Sequence, residues 1–163
     1  ICGATETLLI HEKVLKRFIN PILSKLEEAK CVIYADKKIK KIYKGNVLKA
    51  KKNNWGKEYL SSKISVKSVK NIYEAILHIN KFGTMHTDAI ITSNKKDASI
   101  FLKKVKSSIA IHNSSTQFAD GGEFGFGGEV GISTNTIPPR GPVGLEQLVS
   151  YKYEIFGSGQ IRK

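Results

Sequence analysis

The chain has 163 residues, 40% hydrophobic and 25% charged, which suits a single globular domain and excludes a disordered or fibrous polypeptide. No apolar run approaches the length of a membrane span, and the opening residues lack a signal peptide's basic start and apolar stretch, so a cytoplasmic setting is expected. The net charge of +13 suggests nucleic acid, but only Arg17, Arg140 and Arg162 among the 27 basic residues are arginine. No aromatic residues interleave with the lysine runs to stack on bases, so a solvated lysine-rich surface is expected and a nucleic-acid-binding module is the weakest reading.

In chain order, Leu8, Leu15 and Ile22 recur at seven-residue steps, and this spacing predicts an amphipathic helix over 4–19. Asn20–Pro21 predicts its restart, with Asn20 as N-cap and Pro21 at the first helical position. "CVIYA" (31–35) predicts a short buried strand. The lysine-rich "KKIKKIYKGNVLKAKKNN" predicts a weak strand and then an exposed loop or short helix. From residue 64 the pattern alternates: strand "ISVKSV", helix "NIYEAILHINKFG" opened by Asn71 and stopped by Gly83, strand "DAIITS", helix "NKKDASIFLKKVKSS" capped by Ser93 or Asn94, strand "IAIHN". Apolar strands alternating with helices predict an α/β fold with parallel βαβ units. After Asn113 the character changes, with six glycines between residues 121 and 131 and then "IPPRGPVG". The predicted division is an α/β core over 1–112, a Gly/Pro-rich active-site loop region over 113–144, and a C-terminal helix ("LEQLV") and strand over 145–163 for oligomer contacts.

Cys2 stands at the start of the predicted first helix. There the macrodipole and free N–H groups favour a thiolate, the nucleophilic form of cysteine, while Gly3 permits close approach of a substrate. The alternative is a small buried hydrophobe, since no His–Asp pattern marks a cysteine protease. Two cysteines, Cys2 and Cys31, make no disulfide framework. "DGGEFGFGGEVG" lacks the Gly–Lys–Ser/Thr ending of a phosphate-binding loop and a strand-then-helix context. His11, His78, His86 and His112 show no ligand spacing, so no metal site is expected. Asp88 and Glu58 are isolated acids.

Five ordered blocks nevertheless form a pattern: "CGATETLLIH", "WGKEYL", "FGTMHTDAIIT", "HNSSTQFADGGEFGFGGEVGIST" and "RGPVGLEQLVSYKYEIFGSGQIR". Together they resemble γ-glutamyl phosphate reductase, the proline-biosynthesis member of the aldehyde dehydrogenase superfamily, over nearly the whole chain. The resemblance implies an aldehyde-dehydrogenase-type α/β catalytic domain with a mainly parallel sheet. It also implies an NADP(H)-dependent oxidoreductase that reduces L-glutamyl 5-phosphate to glutamate 5-semialdehyde through a Cys2 thioester. Glu58 matches the superfamily glutamate that holds the nicotinamide ribose. Asn113, Ser115 and Thr116 fall in the segment that approaches substrate, and His86 lies in a matched motif without an assigned role.

In that family the catalytic cysteine follows the dinucleotide-binding domain, so the chain is expected to be the C-terminal catalytic portion alone, without the N-terminal domain. A last strand near Ser150–Phe156 is expected to pair with a neighbouring subunit in a homo-oligomer. Three departures stand out: "GTMH" replaces Gly–Ser–Gly–His at Thr84 and Met85, Gln117 replaces an arginine, and "IPPRGP" replaces a His–Ala–Arg–Gly–Pro run while keeping Arg140. The resemblance therefore leaves two readings: a split enzyme completed by a separate N-terminal cofactor-binding chain, or an inactive truncated remnant with no catalysis of its own.

Overall fold

The structure is a computed structural model, and it describes residues 1–162; Lys163, the last residue of the predicted C-terminal element, lies outside the described residues. Strand β1 (Thr7–His11) leads into helix α1 (Glu12–Glu28), strand β2 (Val32–Ala35), helix α2 (Lys37–Ile42) and the two-residue strand β3 (Leu48–Lys49). Strand β4 (Lys63–Val69) follows, then helix α3 (Ile72–Phe82), strand β5 (Thr87–Ile90), helix α4 (Lys95–Lys104) and strand β6 (Ile109–His112). β1, β4, β2 and β3 form a parallel sheet in that order, with Thr7 opposite Ser65 and Val32 opposite Lys63. β5 and β6 form a separate parallel pair, and strands β7 (Gly131–Ser133) and β8 (Gly141–Val143) an antiparallel one.

The α/β class and parallel βαβ units match the sequence expectation; the first element does not. Residues 7–11 are a strand, and one unbroken helix runs from 12 to 28. The seven-residue spacing of Leu8, Leu15 and Ile22 is real, but it spans a strand–helix boundary. Leu8, Leu9 and Ile10 are the continuous apolar run of a parallel strand. His11 is the N-cap, its Nδ1 accepting from the Lys13 N–H at 3.0 Å, and Pro21 lies inside the helix, so Asn20 caps nothing. In the lysine-rich stretch the weak strand β3 is followed by a 3-10 turn at Lys52–Asn54, as expected, but helix α2 precedes them. Asn71, Gly83 and Asn94 take their expected capping positions.

The main core lies between α1 and the four-stranded sheet. Leu15, Ile19 and Leu23, one helical face, are at most 1% exposed and meet Ile33, Ile64 and Val66 from the strands. Helix α1 ends in a Schellman turn: the Cys31 N–H reaches the Leu26 carbonyl and the Lys30 N–H the Glu27 carbonyl, both at 2.8 Å. Cys31 packs beside Leu26 against the core, the apolar contact that accompanies this turn, so it is a small hydrophobe. A second, smaller cluster of Ile76, Phe101 and Val105 lies between α3 and α4. At the C-terminus "LEQL" forms a 3-10 turn over Leu145–Leu148, and residues 150–162 contain no strand. The short helix expected there is thus present as a 3-10 turn, while the expected strand is absent from the described residues, since an extended segment needs a neighbour's backbone to become a strand.

Candidate active site

Cys2 lies in a turn closed by the Ala4 N–H on the Ile1 carbonyl at 3.0 Å, and its side chain is exposed. The first helix begins ten residues later, so the macrodipole argument made from the sequence does not apply to this thiol. Its neighbour Gly3 is buried, and the Gly3 carbonyl accepts from the Thr116 hydroxyl at 2.7 Å. A Cβ on Gly3 would stand 3.1 Å from Gln117 Cα and from the Thr116 carbonyl oxygen, so a larger residue would push the two backbones apart. The Thr5 and Thr116 hydroxyls meet at 3.4 Å, and Ser115 caps the 3-10 turn Thr116–Phe118 through the Gln117 N–H at 3.2 Å. The fold thus brings the Cys2 segment against Ser115 and Thr116 across more than 110 residues of sequence.

Glu58 is exposed on a turn between two residues of left-handed backbone, Gly56 (φ 73) and Leu60 (φ 50). The next residue anchors the turn. The Tyr59 ring stacks on Tyr34 with centroids 5.7 Å apart, its hydroxyl meets Ser65 Oγ at 2.7 Å, and Asn54 Nδ2 donates to it at 3.0 Å. The Tyr59 backbone N–H donates to Glu6 Oε1 at 3.1 Å. Burial pushes the Glu6 carboxyl above the ordinary range, the Tyr59 N–H opposes this, and the negative charge of Glu58 adds to it. The Glu58 turn is therefore tied to the strand that follows Cys2. Sequence reasoning gave Glu6 no role, because its partner lies 53 residues away.

Asn113 is used differently. At φ 55 it closes the end of β6, its Oδ1 accepting from the Thr92 N–H at 2.8 Å and its Nδ2 donating to the Thr92 carbonyl at 3.0 Å. Both ends of the amide are engaged by backbone. Arg140 is likewise an anchor, donating to the Lys106 carbonyl at 2.6 Å and the Asn135 carbonyl at 3.1 Å. Gln117 is exposed. Met85, which stands where the resembled motif has glycine, holds φ 67, a conformation that costs an ordinary side chain about 1–2 kcal/mol.

His86 is 5% exposed, with Nδ1 on the Thr87 hydroxyl at 2.8 Å and Nε2 buried without a partner among the described residues. Burial holds its imidazole below the usual range, and the Glu129 charge opposes that. Glu129 also folds the glycine-rich loop back on itself, its Oε2 accepting from the Gly121 N–H at 2.9 Å.

Two further titratable groups are shifted by burial elsewhere in the fold. Asp88, which accepts a short hydrogen bond from Ser107, is pushed up to about 6 by burial. His78 lies between Trp55 and Phe82 and is pushed down to about 4, by burial first and then by the Lys67 ammonium, 3.4 Å from its Nδ1. The unfolded chain takes up this proton near 6.5, whereas the folded chain resists it until about 4. His78 therefore stabilises the fold fully above pH 6.5, and that contribution falls as the pH drops towards 4. Unfolding midpoints measured between pH 7 and 5 should fall less in His78→Phe than in wild type; parallel curves would contradict this.

No family model matches the chain. A γ-glutamyl phosphate reductase of Parvibaculum lavamentivorans is 47% identical over 99% of the chain, which covers 38% of that protein. The crystal structure of a γ-glutamyl phosphate reductase from Thermotoga maritima superposes with a TM-score of 0.94 at 40% identity, covering all of this chain and 39% of that one. A propionaldehyde dehydrogenase of Clostridium phytofermentans, 14% identical, shares the fold alone at a TM-score of 0.57 over 88% of this chain and 40% of its own. The chain spans about two fifths of the length of these relatives. Sequence and fold together make the chain a homologue of γ-glutamyl phosphate reductase, with an aldehyde-dehydrogenase-type α/β fold.

Proposed function

We propose that the chain supplies the thiol chemistry of a γ-glutamyl phosphate reductase. One observation supports this reading: Gly3, beside the exposed Cys2, is bonded to Thr116, and Glu6, four residues on from Cys2, is bonded to Tyr59, the neighbour of Glu58. Cys2 Sγ attacks the γ-carbonyl carbon of L-glutamyl 5-phosphate, the carbon–oxygen bond to phosphate breaks, and a Cys2 thioester forms as phosphate leaves. NADP(H), when bound, would supply the hydride for reduction of the thioester carbon. The carbon–sulfur bond then breaks, releasing glutamate 5-semialdehyde and returning Cys2 as the thiolate, the form that attacks in the first step.

An exposed carboxylate on an anchored turn suits Glu58 to accept hydrogen bonds from the ribose hydroxyls of NADP(H). A single contact does not orient a dinucleotide for hydride transfer, so the remaining contacts are assigned to a separate N-terminal cofactor-binding region or chain. The enzyme is read as cytoplasmic. Residues 145–161 expose Leu148, Tyr151, Tyr153, Ile155 and Phe156, each at least 61%, and are read as contacts of a homo-oligomer. A second reading, an inert copy without turnover, is favoured by the backbone at Met85, φ 67 where the motif has glycine.

The first step separates the two readings without cofactor. Mixing the purified chain with L-glutamyl 5-phosphate should release phosphate and leave a glutamyl adduct on Cys2 in the intact mass. Cys2→Ala should show no adduct, and phosphate released no faster than by spontaneous hydrolysis and cyclisation of the acyl phosphate without protein. An adduct that persists in Cys2→Ala, or none in the wild type, defeats the proposal.

A further inference from the structure

We propose that Glu6 is the positioning residue of Glu58: by accepting the Tyr59 N–H, its carboxylate fixes the backbone of the 56–60 segment that carries the exposed Glu58. The inference rests on the reading of Glu58 as the ribose contact and extends it to a residue that touches neither substrate nor cofactor.

Two groups hold Tyr59, and they do different things. The ring is locked by Tyr34, Asn54 and Ser65, which pins the side chain to the sheet but leaves the direction of the backbone open. Glu6 closes that freedom through its bond to the Tyr59 N–H at 3.1 Å. Glu6 is itself held by the main sheet, since its carbonyl accepts from the Ser65 N–H at 2.9 Å and so extends the β1–β4 ladder beyond Thr7. The carboxylate thus stands at a set point at the mouth of β1, four residues from Cys2 in the chain. A bond from a backbone N–H to an ionised carboxylate is among the stronger ones available.

The choice of a carboxylate also matters. A neutral amide would accept the same N–H without placing a negative charge beside Glu58. The like charge of Glu58 opposes ionisation of Glu6, and Glu58 itself is exposed. The charged and polar groups that face Glu6 are Glu58, the Tyr59 N–H and the α-amino group of Ile1.

Nuclear magnetic resonance on the full chain tests both halves. Glu6→Ala should speed hydrogen exchange of the Tyr59 amide at least tenfold, while the Val66 amide, inside the strand ladder, keeps its protection and reports that the variant is folded. Glu6→Gln should restore the Tyr59 protection, because the amide oxygen still accepts. In Glu58→Gln the titration midpoint of Glu6 should move down, since its like-charged neighbour is gone. Unchanged Tyr59 exchange in Glu6→Ala, or an unmoved Glu6 midpoint in Glu58→Gln, overturns the proposal. Adding NADPH to the wild type is a separate arm. If the Glu58 carboxyl signal does not respond, the ribose reading falls while the role of Glu6 in holding the turn stands.

Discussion

Replacing Ile19 by alanine is expected to lower the unfolding free energy by about 3–4 kcal/mol, within the range for deleting a fully buried branched side chain. Ile19 is 0% exposed and lies at the middle of the buried row Leu15, Ile19, Leu23 on α1. Its loss removes apolar surface from the core and leaves a cavity that the sheet cannot collapse to fill. Alanine favours the helix over isoleucine by about 0.4 kcal/mol, which offsets a small part of the loss. Phe18, next in the chain but 40% exposed on the opposite side, should cost about 1 kcal/mol or less as alanine. Urea denaturation of the two variants decides the matter. Ile19→Ala should move the midpoint strongly at an unchanged slope, and a shift no larger than that of Phe18→Ala would show that α1 is not the helix that closes the core.

The same helix shows what sequence periodicity can and cannot read. Leu15, Ile19 and Leu23 form a helical face, and that face is the core. Leu8 joins the pattern by spacing alone, because a continuous apolar run of four or five residues satisfies a helical template and a buried parallel strand alike. The turn signals were legible where one residue decides them, at Asn71, Gly83 and Asn94. They misled at Asn20–Pro21, where the local motif is sound but tertiary packing of the faces on either side carries the helix through proline. The C-terminal aromatic and aliphatic residues, strand formers by composition, have no strand partner among the described residues.

The candidate site was legible only as a set of blocks. Cys2, Glu58 and Thr116 could be singled out by resemblance, yet the bonds that join their segments involve Gly3, Glu6 and Tyr59. Those partners lie 53 and 113 residues apart in the chain, beyond any local pattern. Asn113 shows the opposite case. It falls in the right block, but its amide is occupied by Thr92, so its place at the end of β6 accounts for its chemistry.

Asp36→Ala is expected to cost about 3 kcal/mol, more than a surface helix cap normally does. As N-cap of α2 its Oδ1 accepts from the Ile39 N–H at 2.8 Å, a contact worth about 1 kcal/mol by itself. Its Oδ2 reaches across to β4 and accepts from the Ser68 N–H at 2.6 Å and the Ser68 hydroxyl at 2.7 Å. Those two bonds are charge-assisted and part-buried, and Ser68 is 8% exposed, so alanine would leave donors in poor contact with water. Asn should recover the Ile39 contact and lose the charge at Ser68, placing Asp36→Asn between alanine and wild type. A cycle with Ser68→Ala isolates the hydroxyl bond, and its coupling to Asp36 should be about 1 kcal/mol. If Asp36→Ala costs no more than an ordinary cap, the link to Ser68 contributes nothing. The loop from β2 into α2 would then be held by the burial of Ile39 and by the Asp36 N–H bond to the Val66 carbonyl at 3.0 Å.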